Sequence, residues 1–264
     1  IQRVQNMQST KKIKKLKRGQ LIQLISILVV IFVLASLPIE NIRADEYMEG
    51  PADINDFKEA EECGVSLEHV PIIDAVAAIV LDAETGRVLF EKNAYSKRPI
   101  ASTTKIMTGI LAIEMGDLDD EVTVSKNASQ IWGSVIDLQQ GEKLKLKDLL
   151  YGLMLSSGND AAIAIAEHIG GTLENFLEIM NRKAKLIGAR NTNFKSPHGL
   201  DAEGHYSTAY DLALITRYAL ENPVFSKIVA TKQAVIPGRY LYNTNEMLET
   251  YQGADGVKTG YTGK

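Results

Sequence analysis

The sequence predicts an α/β (α+β) domain in which an antiparallel sheet is flanked by helices and carries a helical subdomain. Three observations predict it. Residues 76–92 hold two β-prone runs separated by Asp82-Ala83-Glu84-Thr85-Gly86, a hairpin signal. From Thr103 onward apolar residues recur at helical spacing through the middle of the chain. After Pro223 the pattern turns β-like again, over Lys227–Pro237 and Gly256–Thr262. Strands at both ends with helices between them imply one sheet assembled from distant parts of the chain.

Lys11, Lys12, Lys14, Lys15, Lys17 and Arg18 precede Leu21–Leu37, which is nearly all aliphatic and closed by Pro38. Ile42-Arg43-Ala44 offers a cleavage site before Asp45. A positive block, an apolar run and a small residue in that order read as an N-terminal signal peptide over residues 1–44. An uncleaved membrane anchor is the alternative, since 17 residues reach the short limit for crossing a bilayer. Met7 is a better start than Ile1, and either way the remainder is expected to be exported. Residues 45–70 then read as an acidic linker, because nine Asp/Glu against one Lys fall within 45–68.

The helices of residues 71–264 have recognisable ends. Ile106, Ile110 and Ile113 stripe the first. Leu144 to Met154 form an apolar segment ending at Ser156-Ser157-Gly158, and Ala161–Ile169 restarts apolar on nearly every side, which predicts burial. Leu173, Phe176, Leu177, Met180, Ala184 and Ile187 mark a third helix, stopped by Gly188. A fourth begins at Thr208-Ala209-Tyr210-Asp211, a capping-box pattern, and runs to about Glu221.

Composition narrows the function. The chain is 45% hydrophobic and 23% charged, enough to bury a core. Residues 69–264 carry a net charge of only −3 and form no basic stripe, so no nucleic-acid footprint is present. The lone Cys63 reads as an incidental linker thiol, and His69, His168, His198 and His205 show no metal-ligand spacing. No metal or cofactor is expected.

Three short elements carry chemistry: Ser102-Thr103-Thr104-Lys105, Ser157-Gly158-Asn159 and Lys258-Thr259-Gly260. Alone, the first two patterns are weak, for Ser9 to Lys12 and Ser125-Lys126-Asn127 fit them as well. Their order and placement raise the signal: a helix start, a helix–helix loop and a late strand. A serine hydroxyl needs a base to become a nucleophile. Lys105, three residues beyond Ser102, shares its helix face and can reach it. It can act as that base only if burial or a second cation, such as Lys258, lowers its pKa from about 10.4. Taken singly, Ser102 reads as an N-cap and Lys105 as a solvated lysine.

Residues 100–108, 156–162 and 255–262 together resemble the three active-site motifs of the serine D-alanyl-D-alanine carboxypeptidases, the low-molecular-mass penicillin-binding proteins. The hairpin at 76–92, Pro197-His198-Gly199-Leu200 and Ser207 to Leu212 are similar to that family too, so the resemblance spans residues 72–264. It implies a penicillin-binding/β-lactamase-like domain and removal of the terminal D-Ala from peptidoglycan stem peptides. Ser102 would attack, Lys105 would be the base, Ser157 would relay a proton to the leaving amine, and Asn159 would hold the peptide. Lys258 and Thr259 would bind the terminal carboxylate, Gly260 would leave room for the substrate as an added strand, and the N–H groups of Ser102 and Tyr261 would form the oxyanion hole. β-Lactams would be covalent inhibitors. Because the chain stops at Lys264, just after the third motif, the C-terminal strands of such a domain are expected to be missing, along with any membrane-binding tail.

Two other readings stand beside it. A class A β-lactamase needs a Glu followed four residues later by Asn, and no Glu-x-x-x-Asn occurs. A non-catalytic peptidoglycan-binding module would not need Ser102, Lys105, Ser157 and Lys258 together. His198 is expected to serve a Pro-His-Gly turn rather than act as a base, and Trp132 to be core or groove wall.

Overall fold

The computed structural model describes residues 71–263. The predicted signal, linker and Cys63 lie outside them. Strand β1 (Ala78–Leu81) pairs antiparallel with β2 (Val88–Lys92), Val80 opposite Phe90, and the register shifts at Leu81. The turn is set locally: the Asp82 carboxylate accepts from the Thr85 N–H at 2.7 Å, and Gly86 takes φ +74°. Arg217 clips this turn by donating to the carbonyls of Ala83 (2.7 Å) and Glu84 (2.8 Å).

A 3-10 turn, Ala101–Thr104, leads into helix α1 (Lys105–Met115). Strand β3 (Glu121–Thr123), the short helix α2 (Lys126–Ser129) and β4 (Lys143–Lys145) follow, β3 pairing with β4. Helices α3 (Leu146–Met154), α4 (Asn159–Gly170) and α5 (Leu173–Ile187) form the middle. Helices α6 (Ala209–Leu220) and α7 (Pro223–Val229) precede the hairpin β5 (Gln233–Ile236) and β6 (Arg239–Tyr242), and α8 (Met247–Thr250) is a single turn.

The all-round apolar face of α4 is explained by its position: Ala161, Ile165 and Ala166 are fully buried, as are Leu146, Leu149, Leu150 and Leu153 of α3 and Phe176 and Met180 of α5. Gly188 ends α5 in the left-handed region (φ +98°), as its C-cap position demands. Thr208 caps α6 by accepting from Asp211 N–H at 3.0 Å. Asp211 does not return the bond. Its carboxylate accepts from Asn191 N–H and Thr192 Oγ1, tying α6 to the segment after α5.

The class is the mixed helix-and-antiparallel-strand class expected, but three features differ. The strands among the described residues form three separate two-stranded sheets rather than one. Gly256–Thr262 is an unladdered segment, because no neighbouring strand among the described residues offers it a partner. Of the β-like stretch Lys227–Pro237, residues 233–236 form β5, but 227–229 end the helix that starts at Pro223: Asn222 accepts from Val224 and Phe225 N–H, and Pro223 fits the first helical position. Among the described residues no helix is long and apolar enough to cross a membrane.

Candidate active site

The site begins with a strained approach to a helix. Ala101 holds φ +45° and its carbonyl lies against Gly199, whose φ is +92°. A Cβ on Gly199 would sit 1.8 Å from that oxygen, so only glycine fits. This contact places Ser102 and the Pro197-His198-Gly199 turn side by side. Lys105, on the first turn of α1, is 0% exposed.

Its Nζ lies 2.9 Å from Ser102 Oγ, 2.7 Å from Asn159 Oδ1 and 2.7 Å from the His198 carbonyl oxygen. Two of these neighbours can only accept. A neutral amine has two protons and one lone pair, so it donates to the two carbonyl oxygens and its lone pair faces the Ser102 hydroxyl. The electrostatics favour that form. Burial, and then the positive charge of Lys258, depress Lys105 to about 6, with Asp160 opposing. Lys258 is itself lowered to about 8 by burial. The sequence-stated conditions for a lysine base are thus met by two causes acting in the same direction.

Ser157 sits between α3 and α4 with φ +61°, a conformation that costs a non-glycine residue about 1–3 kcal/mol and is held by its surroundings. Ser157 lines the groove, and its hydroxyl makes no hydrogen bond among the described residues. Asn159 opens α4, accepts from Lys105 and donates from Nδ2 to the Trp132 carbonyl at 2.8 Å. The third element closes the groove. Thr259 Oγ1 meets Thr244 Oγ1 at 2.7 Å, while Lys258 Nζ donates to the Thr259 carbonyl at 2.8 Å. A Cβ on Gly260 would stand 3.3 Å from Ser102 N, so the segment passes the nucleophile's backbone at glycine distance. Tyr261 is 92% exposed and lines the groove with Thr262.

All eight residues singled out from the sequence therefore gather around one groove of about 450 Å³ or directly behind it. Trp132, expected in the core or the groove wall, is wall: it is 70% exposed. The His198 turn is present as expected, with Nδ1 accepting from Leu200 N–H, and burial followed by the Lys105 charge pushes the imidazole down to about 4. His205 is lowered to about 4, chiefly by burial. Its Nδ1 accepts from Lys195 N–H, which leaves Nε2 to donate to Thr104 Oγ1 beside Lys105.

Sequence reasoning missed the supports. The buried Asp160 carboxylate accepts from the N–H groups of Ile136, Leu138 and Ala161. Arg239 grips the same loop from outside, donating to the Ile136 and Asp137 carbonyls and to both oxygens of Glu142. An acid at the start of an otherwise apolar helix was a readable signal for Asp160. Arg239 left none.

A groove-lining serine held by a buried lysine, in this arrangement of helices and small antiparallel sheets, is the architecture of the penicillin-binding DD-peptidases. The chain belongs to the D-alanyl-D-alanine carboxypeptidase peptidase family, whose model matches residues 65–264. It is 41% identical over 201 residues to D-alanyl-D-alanine carboxypeptidase DacF of Bacillus subtilis, covering 72% of this chain and 52% of that protein. Among solved structures, a D-alanyl-D-alanine carboxypeptidase from Mycobacterium tuberculosis superposes with a TM-score of 0.71 at 37% identity, covering 75% of this chain and 77% of that one. A variant of Streptomyces K15 DD-transpeptidase gives 0.70 at 35% identity, covering 74% and 84%. The chain spans about half the length of DacF.

Proposed function

We propose that the protein is an exported serine D-Ala-D-Ala carboxypeptidase that trims peptidoglycan stem peptides. The observation that carries this reading is the buried Lys105 amine 2.9 Å from Ser102 Oγ. Ser102 Oγ attacks the carbonyl of the penultimate D-Ala and gives its proton to Lys105 Nζ. The oxyanion is held by the N–H groups of Ser102 and Tyr261. Collapse breaks the peptide bond, and the departing D-Ala amine takes a proton through the Ser157 hydroxyl. Water then attacks the acyl-enzyme, releasing the shortened stem and regenerating Ser102. Asn159 orients the substrate amide, and Lys258 with Thr259 binds its terminal carboxylate by a charge-assisted hydrogen bond. No cofactor takes part. Export rests on the signal-like residues 1–44, which would also attach the protein to the membrane if left uncleaved, a C-terminal tail being the other route.

Fluorescent penicillin tests the reading on the full chain. Expected is a stable covalent label on the peptide containing Ser102, lost in Ser102→Ala with the circular dichroism spectrum unchanged. Rapid release of hydrolysed penicillin would mark a β-lactamase instead, and a folded protein without label a binding module.

A further inference from the structure

The Lys105 amine is aimed by two acceptors, and one of them is a backbone group. The Asn159 amide is carried on the first turn of α4, but the His198 carbonyl belongs to a turn that other groups must hold in place. One end of that turn is fixed where Gly199 seats against the Ala101 carbonyl. At the other end Thr108 Oγ1 donates to the Pro197 carbonyl at 2.6 Å. The His198 carbonyl lies between these two fixed points.

Thr108 is fully buried, in a run of α1 where Met107, Ile110 and Leu111 are buried with it. A helix threonine can return its hydroxyl proton to the carbonyl four residues back, here that of Thr104. The proton goes instead to Pro197, 89 residues away in the chain. Proline fixes its own φ, so holding its carbonyl leaves little freedom in the peptide plane that leads into His198. One turn earlier on α1, Thr104 Oγ1 meets His205 Nε2 at 2.9 Å, so the helix grips the same returning chain at a second point. Thr108 itself lies behind the groove, not on its wall.

Building on the proposed acyl-enzyme function, we infer that Thr108 is a positioning residue, whose hydroxyl docks the Pro197–His198 peptide so that the His198 carbonyl receives a Lys105 proton and the amine's lone pair stays on Ser102 Oγ. A turn released at Pro197 lets the amine swing away from the nucleophile. Misplacing a reacting group by about 1 Å costs up to about a hundredfold in rate. Penicillin binding before acylation is untouched, because Thr108 does not reach the groove.

The test follows fluorescent penicillin labelling of the full chain and of Thr108→Ser, Thr108→Cys and Thr108→Val. It reads the limiting rate constant and the half-saturating penicillin concentration separately, with circular dichroism as the check on folding. Serine keeps the donor, a thiol is a weak donor, and valine has threonine's shape without one. Expected is a near-native limiting rate for Thr108→Ser and one about ten- to a hundredfold lower for Thr108→Val, with Thr108→Cys between them and the half-saturating concentration unchanged. A native limiting rate in Thr108→Val overturns the inference and leaves the acyl-enzyme reading standing. So does a loss that falls on the half-saturating concentration alone, since Thr108 would then act on binding. Should Thr108→Val lose its helical signal, the other two variants decide: a cysteine variant as fast as the serine one overturns the inference, and a slower one with a native spectrum supports it. An unsubstituted chain that takes no label overturns both the inference and the function on which it rests.

Discussion

Replacing Lys105 by methionine tests whether the buried amine is neutral in the folded protein. In the unfolded chain its pKa is 10.5, and in the fold burial and Lys258 bring it to about 6. Between those values the unfolded chain holds one more proton than the folded one, so native stability rises with pH. The contribution of a depressed group is fully present above about 10.5 and is lost as pH falls to about 6. Each pH unit inside that window is worth about 1.4 kcal/mol. From pH 6.5 to 9.5 the native chain should therefore gain about 4 kcal/mol relative to Lys105→Met. The methionine leaves Asn159 Oδ1 and the His198 carbonyl without a donor, a cost that does not vary with pH and so leaves the slope intact. Lys258 titrates in both proteins and cancels in the difference. Urea unfolding of both proteins at pH 6.5, 8 and 9.5 measures the slope directly. Parallel stability curves would show that Lys105 keeps its proton in the fold, and the general-base argument would fall with it.

Three further outcomes follow from the same geometry. Acylation by penicillin should rise as pH passes about 6, where Lys105 becomes a base, and fall as it passes about 8, where Lys258 loses the charge that binds a carboxylate; a flat second-order labelling rate from pH 5 to 9.5 contradicts both assignments. Gly199→Ala must place a methyl 1.8 Å from the Ala101 oxygen at φ +92°, so it should cost at least about 3 kcal/mol in urea unfolding and lower labelling; a neutral result means the turn can move away without consequence. Asp160→Asn turns one acceptor oxygen into a donor facing backbone N–H groups, and a loss of about 1–3 kcal/mol is expected; unchanged stability would mean these three bonds contribute nothing net.

The sequence carried much of the site because motif order and element type are local properties. Ser102 and Lys105 are three apart at a helix start, and Asn159 opens a helix whose apolar run announces itself. The Ser125-Lys126-Asn127 decoy has a local explanation too: Ser125 Oγ caps α2 by accepting from Ala128 N–H at 2.9 Å. What stayed hidden is what depends on backbone atoms far away. The His198 carbonyl is an acceptor any residue could supply, and nothing in its side chain marks it as a partner of Lys105. The grip of Arg239 on residues 136–142 depends on the β5–β6 hairpin folding back toward that loop. The helix start at Asn222-Pro223 is legible in the sequence, while the β-branched Ile228 and Val229 at its end make Lys227 onward look β-like.

The three bonds of Lys105 Nζ span 3, 54 and 93 residues of chain. Only the first can form within a local helix turn. The others require large loops to close, which delays them relative to helix formation. On the proposed function, reactivity toward penicillin would therefore be an assay of completed folding. During refolding, a chain with its helices formed but the 197–201 turn undocked would give nearly the full helical signal while its serine stayed inert, so labelling should lag behind circular dichroism and report the arrival of the last piece.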